Sequence, residues 1–183
     1  MTTQETLVKY ISDIYALEEH ILQPVKSQAK DDDFTPFPEA KALVTRIASS
    51  TETTITQLEA LAKGLGGEAR SGIKSAVSAV AGVAAAVVNE ARTHAITKKL
   101  RDDYTALSLL AVGYELLHAT GNALGSAEVA TFAQSRLRTV AGFIMEISHE
   151  IIPVAVKELS ETNDVDQSTV ATSQKNVKAA WTE

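Results

Sequence analysis

Two Glu-x-x-His motifs are the residues in this sequence whose types and spacing could bind a metal ion. They are Glu115 with His118 and Glu146 with His149. Side chains three residues apart on a helix point to the same side, so a carboxylate and an imidazole at this spacing can share one ion. Glutamate and histidine also occur at this spacing by chance. Whether a motif is a metal site or a coincidence therefore depends on whether it faces the core of its helix bundle or the solvent.

The position of each motif relative to the apolar stripe of its helix distinguishes the two motifs. At about 100° per residue, Glu146 and His149 fall outside the stripe that Val140 marks, which favours a solvated pair. His118 falls on the inward face of its helix, and Glu115 falls at the edge of that face. This motif is the better metal candidate, and a core histidine bonded to a carboxylate is its structural alternative.

Glu18 is the ionisable residue whose surroundings raise the sharpest question. It lies four residues after Ile14 and three before Ile21, in the middle of an amphipathic stripe. A carboxylate that faces a core is costly unless a partner satisfies it. The sequence leaves three interpretations open: a metal site, a buried ion pair, or a plain core that tolerates one polar residue.

Composition narrows the class of protein. The chain has 183 residues, 45% apolar and only 5% aromatic, which is typical of one helical domain packed with small side chains. The net charge of −6 argues against non-specific nucleic-acid binding, and the absence of cysteine excludes disulfides and thiolate chemistry. No signal-like start is present, and the Ala/Val-rich stretch 75–88 is shorter than the roughly 20 residues of a membrane span. We therefore expect a cytoplasmic protein without a membrane partner.

Apolar periodicity predicts long helices and no strands. The predicted helices cover about Thr3–Gln28, Pro38–Lys63, an Ala/Val-rich helix at 70–100, a helix from Asp102 or Asp103 to Ala123, and Ala127–Leu159 with Ser126 as its N-cap. The expected fold is all-α, an antiparallel four-helix bundle over residues 1–160 with the Ala/Val-rich helix in the crossover. Residues 161–183 are expected to form a flexible or loosely docked tail.

Three stretches of the chain resemble the YciE/YciF-type stress proteins of the ferritin-like superfamily. They are DIYALEEHIL at 13–22, LEALAKGLG at 58–66 and YELLHATGNALGSAEVATFAQSRL at 114–137. The resemblance covers roughly residues 5–150. It implies a ferritin-like bundle that in relatives can hold two metal ions through carboxylates, and Glu18 and Glu115 match two of the expected ligands.

Other ligand positions of that family carry residues that do not bind metal. They fall at or near Ile47, Ser49, Ser50, Val112, Val140 and Phe143. A di-metal centre needs about six N/O ligands, so we expect a degenerate site without a cofactor. Iron or manganese is the alternative, with ligands drawn from Glu18, Glu115, His118, Glu146 and His149.

Without a metal, a hydrogen-bonded cluster has to satisfy Glu18. We expect this cluster to be drawn from Tyr114, Glu115, His118 and Arg136, because a guanidinium can pair with a carboxylate through two hydrogen bonds. Losing one member of such a buried cluster would be costly.

Three functions follow from these alternatives. The first is a ferritin-like stress-response-type protein with a degenerate site and no catalytic residues, which acts by binding or assembly. The second is a working iron or manganese protein of the oxidase or peroxidase kind. The third is a metal-free helical interaction module of another lineage. A homodimer is the expected partner, since long apolar helices need covering, but the sequence identifies no patch for it.

Overall fold

The protein is described by a computed structural model that covers residues 1–72 and 95–182, and these ranges contain helices and turns but no strand. The helices are α1 (Thr3–Ala29), α2 (Pro38–Gly64), α3 (Ala95–Ala123), α4 (Ala127–Ser160) and α5 (Thr169–Thr182). Short 3-10 turns lie at Asp32–Phe34 and Ala69–Gly72. Most of the Ala/Val-rich helix predicted at 70–100 lies outside the described residues.

The sequence signals at the helix ends explain the bounds of α1, α2 and α4. Thr2 and Glu5 exchange hydrogen bonds in a capping box at the start of α1. Pro38 is the first residue of α2, where a missing N–H costs nothing. The Ser126 hydroxyl accepts from the N–H of Val129 at the start of α4. The predicted bounds of these three helices are confirmed to within one residue.

The prediction that the third bundle helix starts at Asp102 or Asp103 is wrong. Helix α3 already includes Ala95–Arg101. The carboxylate of Glu158, near the end of α4, accepts the N–H groups of Ile96 (2.8 Å) and Thr97 (3.1 Å). A negative charge at this end is favourable because the free N–H groups of a helix start carry partial positive charge. The cap comes from a different helix, so no local pattern could predict it.

Replacing Glu158 by glutamine should lower the free energy of unfolding by about 1–2 kcal/mol, because the negative charge at the start of α3 is lost. The side chain is 8% exposed, so solvent replaces little of the lost interaction. Urea unfolding followed by circular dichroism measures the effect. Glu161→Gln is the matched control, since Glu161 is exposed, and we expect a change within about 0.5 kcal/mol. Equal effects of the two substitutions would contradict the capping role.

The four long helices α1–α4 surround one core, and each runs antiparallel to the two helices against which it mainly packs. Helix α1 packs against α2 and α3, and α4 packs against the same two helices. In every pair, a residue later in one helix contacts a residue earlier in the other. The contacts that show this are Tyr15–Glu59 and Lys26–Glu52 for α1 and α2, Glu18–Tyr114 and Gln28–Asp103 for α1 and α3, Arg46–Glu146 and Ser50–Arg136 for α2 and α4, and Ile96–Glu158 and His118–Ala130 for α3 and α4. Helices α2 and α3 therefore run in the same direction, and the connection between them has to span the length of the core.

Helix α5 follows α4 and packs against it, with the Gln174 amide donating to the carbonyl oxygen of His149 at 3.3 Å. The polar composition of residues 161–183 predicts a flexible or loosely docked tail, whereas the structure has a helix here. Its side chains are largely exposed, including that of Trp181 at 63%. By length and hydropathy alone, α4 is the one described helix that would also suit a membrane span. In this structure its inner face, with Val129, Val140 and Ile147, is buried in the core.

Candidate functional site

A buried polar cluster of Glu18, Tyr114 and Arg136 lies in the middle of the core. Glu18 and Tyr114 are both fully buried, and the Tyr114 hydroxyl donates to Glu18 Oε1 at 2.5 Å. Arg136 Nη2 lies 3.6 Å from the same oxygen, and the side chain of Arg136 is 12% exposed. The cluster joins α1, α3 and α4, so three helices meet at one carboxyl oxygen.

Helix phase explains why these three side chains converge. Tyr114 belongs to the buried series Leu107, Leu110, Tyr114 and Leu117, spaced by three, four and three residues. Glu18 occupies the same kind of position on α1. Arg136 reaches in from α4 and also donates to the Ser50 hydroxyl of α2 at 3.1 Å. All four core helices therefore contribute a polar group to this level of the core.

The electrostatics of the cluster are dominated by burial. Burial raises the pKa of Glu18, while the hydrogen bond from Tyr114 and the positive charge of Arg136 act in the opposite direction. The Thr51 hydroxyl adds to this opposing effect. Burial also raises the pKa of Tyr114 well above its usual value, and the neighbouring Glu18 carboxyl raises it further. Tyr114 is therefore a hydrogen-bond donor at all physiological pH values.

The donor set of this cluster does not fit a di-metal centre. It contains one carboxylate, and a guanidinium already lies beside it. In residues 1–72 and 95–182, no three His, Asp or Glu side chains come close enough to hold an ion. Glu18 Oε2 lacks a hydrogen-bond partner in these ranges, but one free oxygen is far from the about six ligands that two ions need.

The Glu115–His118 motif does not join this cluster. Glu115 is exposed on α3, one residue beyond the inward-facing Tyr114. His118 is half-buried and connects α3 to α4: its Nδ1–H donates to the carbonyl oxygen of Ala130 at 2.8 Å. Its Nε2 then accepts from the Asn122 amide at 3.0 Å, so both ring nitrogens are engaged.

The Glu146–His149 motif lies on the outer part of α4. Glu146 forms an ion pair with Arg46 of α2. His149 is exposed, and its Nδ1 lies 3.6 Å from Glu150 of the same helix. The five candidate ligands are thus far apart. Glu18 lies in the core and Glu115 on the α3 surface, His118 lies between α3 and α4, and Glu146 and His149 lie on the outer part of α4. Val112, which occupies a ligand position in the resemblance, is 50% exposed and does not face the core.

A second buried polar pair, Gln28 with Asp103, is not among the candidate residues named from the sequence. Gln28 of α1 is 7% exposed, Asp103 of α3 is 4% exposed, and the Gln28 amide donates to Asp103 Oδ1 at 3.0 Å. Burial raises the pKa of Asp103 to about 7, against the hydrogen bond from Gln28, and the neighbouring Asp102 adds to the rise. Both residues fall on the apolar stripes of their helices, three residues after Val25 and three after Leu100. A polar residue in the apolar stripe of its helix is the signal that identified Glu18, and the same signal would have identified Gln28 and Asp103.

Two of the three comparisons with known proteins found no match. A family model described as "Domain of unknown function (DUF892)" matches residues 2–140. No curated protein and no solved structure matches the chain. The match includes α1–α3 and the start of α4, and so it includes all members of the Glu18 cluster.

Proposed function

Because the chain belongs to the DUF892 family, whose description assigns no activity, we propose its function from the site itself. The chain is a ferritin-like protein of the stress-response type, in which the cluster of Glu18, Tyr114 and Arg136 replaces the metal centre. It acts by binding or assembly rather than by metal-dependent oxidation.

Topology supports the ferritin-like part of this proposal. Helices α1 and α2 are antiparallel neighbours, α3 and α4 are antiparallel neighbours, and the end of α2 and the start of α3 lie at opposite ends of the core. One long crossover between two helical hairpins is the connectivity of ferritin-like bundles, whereas simple up-down bundles have short loops throughout.

The guanidinium of Arg136 beside Glu18 is the observation that supports a site without a metal ion. A cation 3.6 Å from the carboxylate supplies the positive charge that a metal ion would bring to a buried carboxylate. An ion bound to Glu18 would have to approach this guanidinium closely, at a cost of several kcal/mol between like charges.

Metal content after preparation tests the proposal. Protein produced with added iron and manganese, then freed of loose metal by gel filtration, should retain far less than one ion per chain, measured by mass spectrometry of the metals. The matched variants are Glu18→Gln in the buried cluster and Glu115→Gln on the exposed face. Tight retention of two ions that is lost in Glu18→Gln but kept in Glu115→Gln would overturn the proposal in favour of a working metal protein.

A further inference from the structure

The buried pair of Gln28 and Asp103 contains two oxygen atoms that its single hydrogen bond does not use. Gln28 Nε2 donates to Asp103 Oδ1 at 3.0 Å, and both side chains are buried. Asp103 Oδ2 and Gln28 Oε1 are also buried, and neither has a hydrogen-bond partner in residues 1–72 and 95–182. Buried acceptors without a donor cost free energy, so this pair needs one more donor.

A proton on Asp103 Oδ2 satisfies both oxygens at once. A protonated carboxyl group has an O–H donor beside an accepting oxygen, and the carboxamide of glutamine has an N–H donor beside an accepting oxygen. When two such planar groups meet edge to edge, each donor lies opposite the acceptor of the other group. The Asp103 O–H then donates to Gln28 Oε1, while Gln28 Nε2 donates to Asp103 Oδ1. We call this arrangement with two hydrogen bonds the acid–amide pair.

The surroundings of Asp103 favour its protonated form. Gln28 is the one side chain that hydrogen-bonds to the Asp103 carboxyl within the described ranges. Burial and the negative charge of Asp102 both oppose ionisation. Charged groups on the elements around Asp103 contact one another or the backbone instead: Lys99 with Asp31 and Asp33, Arg101 with Asp102, His149 with Glu150, Lys157 with the carbonyl oxygen of Pro36, and Glu158 with the N–H groups of Ile96 and Thr97.

The pair lies where α1 ends against α3. Gln28 is in the last turn of α1, and Asp103 is in the third turn of α3. A second contact follows directly, because Lys99 of α3 donates to Asp31 at 2.6 Å, three residues after Gln28. These two contacts hold the end of α1 against the first turns of α3.

We propose that Gln28 and Asp103 form a proton-dependent latch between the end of α1 and the start of α3. The latch is closed when Asp103 is protonated and both hydrogen bonds of the acid–amide pair are made. When the proton passes to water, the hydrogen bond to Gln28 Oε1 is lost, two acceptors face each other, and a carboxylate remains in a buried position. The last turn of α1 then separates from α3 more often.

The latch responds to pH near neutrality. Burial raises the pKa of Asp103 to about 7. The latch therefore opens as pH rises through about 7 and closes as pH falls, since the closed state holds the proton.

This inference goes beyond the proposed function and does not depend on it. Gln28 lies ten residues, or about 15 Å, from Glu18 along α1. Tight metal retention would overturn the metal-free site and leave the latch intact, whereas a latch that does not respond to pH would leave that site intact. The two failures are therefore distinguishable.

Hydrogen exchange of the backbone amides in the last turn of α1 tests the opening. After correction for the intrinsic exchange rate, the protection of these amides should fall about tenfold between about pH 6 and pH 8 in the full chain. Asp103→Asn should keep its protection within about twofold over this range, because asparagine can make both hydrogen bonds to Gln28 and does not ionise. Asp33→Asn is the matched control and should behave like the wild type, since the Asp33 side chain is 71% exposed.

The dependence of this exchange on urea identifies the kind of opening. A local opening exposes little surface, so low concentrations of urea should hardly change the exchange rate. Wild-type protection that does not change with pH, a fall that Asp103→Asn shares, or the urea dependence of global unfolding would each overturn the latch.

A double-mutant cycle tests the acid–amide pair itself. The cycle compares the wild type with Gln28→Met, Asp103→Leu and the double variant by urea unfolding at about pH 5 and pH 8. Expressed as an equilibrium constant, the coupling between the two side chains should be at least about tenfold greater at the lower pH, where both hydrogen bonds are made. A single hydrogen bond from Gln28 to an ionised carboxylate is stronger than one to a neutral carboxyl. A coupling that is greater at the higher pH would therefore contradict the acid–amide pair.

Discussion

Replacing Glu18 by leucine should lower the free energy of unfolding by about 3–5 kcal/mol. The substitution keeps a large side chain but leaves the Arg136 guanidinium without its carboxylate and the buried Tyr114 hydroxyl without its acceptor. Burial of these partners, rather than the loss of the contact itself, makes the effect large. Urea unfolding followed by circular dichroism measures it.

Two further variants distinguish a cluster from a plain core. Glu18→Leu combined with Arg136→Met should recover much of the loss, because no buried charge then remains unpaired. Glu52→Leu removes a carboxylate from an ion pair with Lys26 in which both side chains are nearly half exposed, and it should cost less than about 1 kcal/mol. A nearly neutral Glu18→Leu variant would show that Glu18 is merely tolerated, as the hypothesis of an unrelated interaction module requires.

Asp103 should make the protein less stable as pH rises towards neutrality. Its carboxyl has a pKa of about 7 when folded and 3.8 as the ordinary value, so the folded state holds a proton that the unfolded state has released. This stabilisation is fully present below pH 3.8 and is lost as pH rises through 7. The loss is about 1.4 kcal/mol per pH unit and about 4 kcal/mol in total.

Asp103→Asn isolates this contribution from those of other groups. Asparagine keeps the size of the side chain and the oxygen that accepts from Gln28, but it does not ionise. Urea unfolding of both proteins between about pH 4 and pH 8 should show the wild-type stability falling relative to that of the variant, and then levelling off above the folded pKa. Parallel pH profiles would contradict a protonated Asp103 in the folded state.

Three of the four core helices were predictable because their end signals are local. Thr2, Pro38 and Ser126 stand in sequence next to the helices that they start. The start of α3 was not predictable, because its N–H groups are satisfied by Glu158, more than sixty residues later. Helix α5 was missed because its composition is polar and it buries little surface to reveal a period.

The candidate site was predictable where a residue lay at the centre of a helix stripe and unpredictable at its edge. Glu18 was found by phase alone. Glu115 and Tyr114 are adjacent, and a rotation of 100° decides which faces the core; the buried series through Leu110 and Leu117 selects Tyr114. His118 points between α3 and α4 because the Ala130 carbonyl accepts its proton, a contact set by the turn that joins the two helices.

The polar pairs of the core have a consequence for how the two helical hairpins meet. Glu18 with Tyr114, Gln28 with Asp103 and Ser50 with Arg136 each connect α1 or α2 to α3 or α4, and each is buried or half-buried. A purely aliphatic seam between the hairpins could slide by one helical turn at little cost. Here a slip of one turn, about 5.4 Å, would break every one of these pairs at once. Two hairpins that meet out of register should therefore separate again, so that these polar pairs select the native alignment of the hairpins during folding.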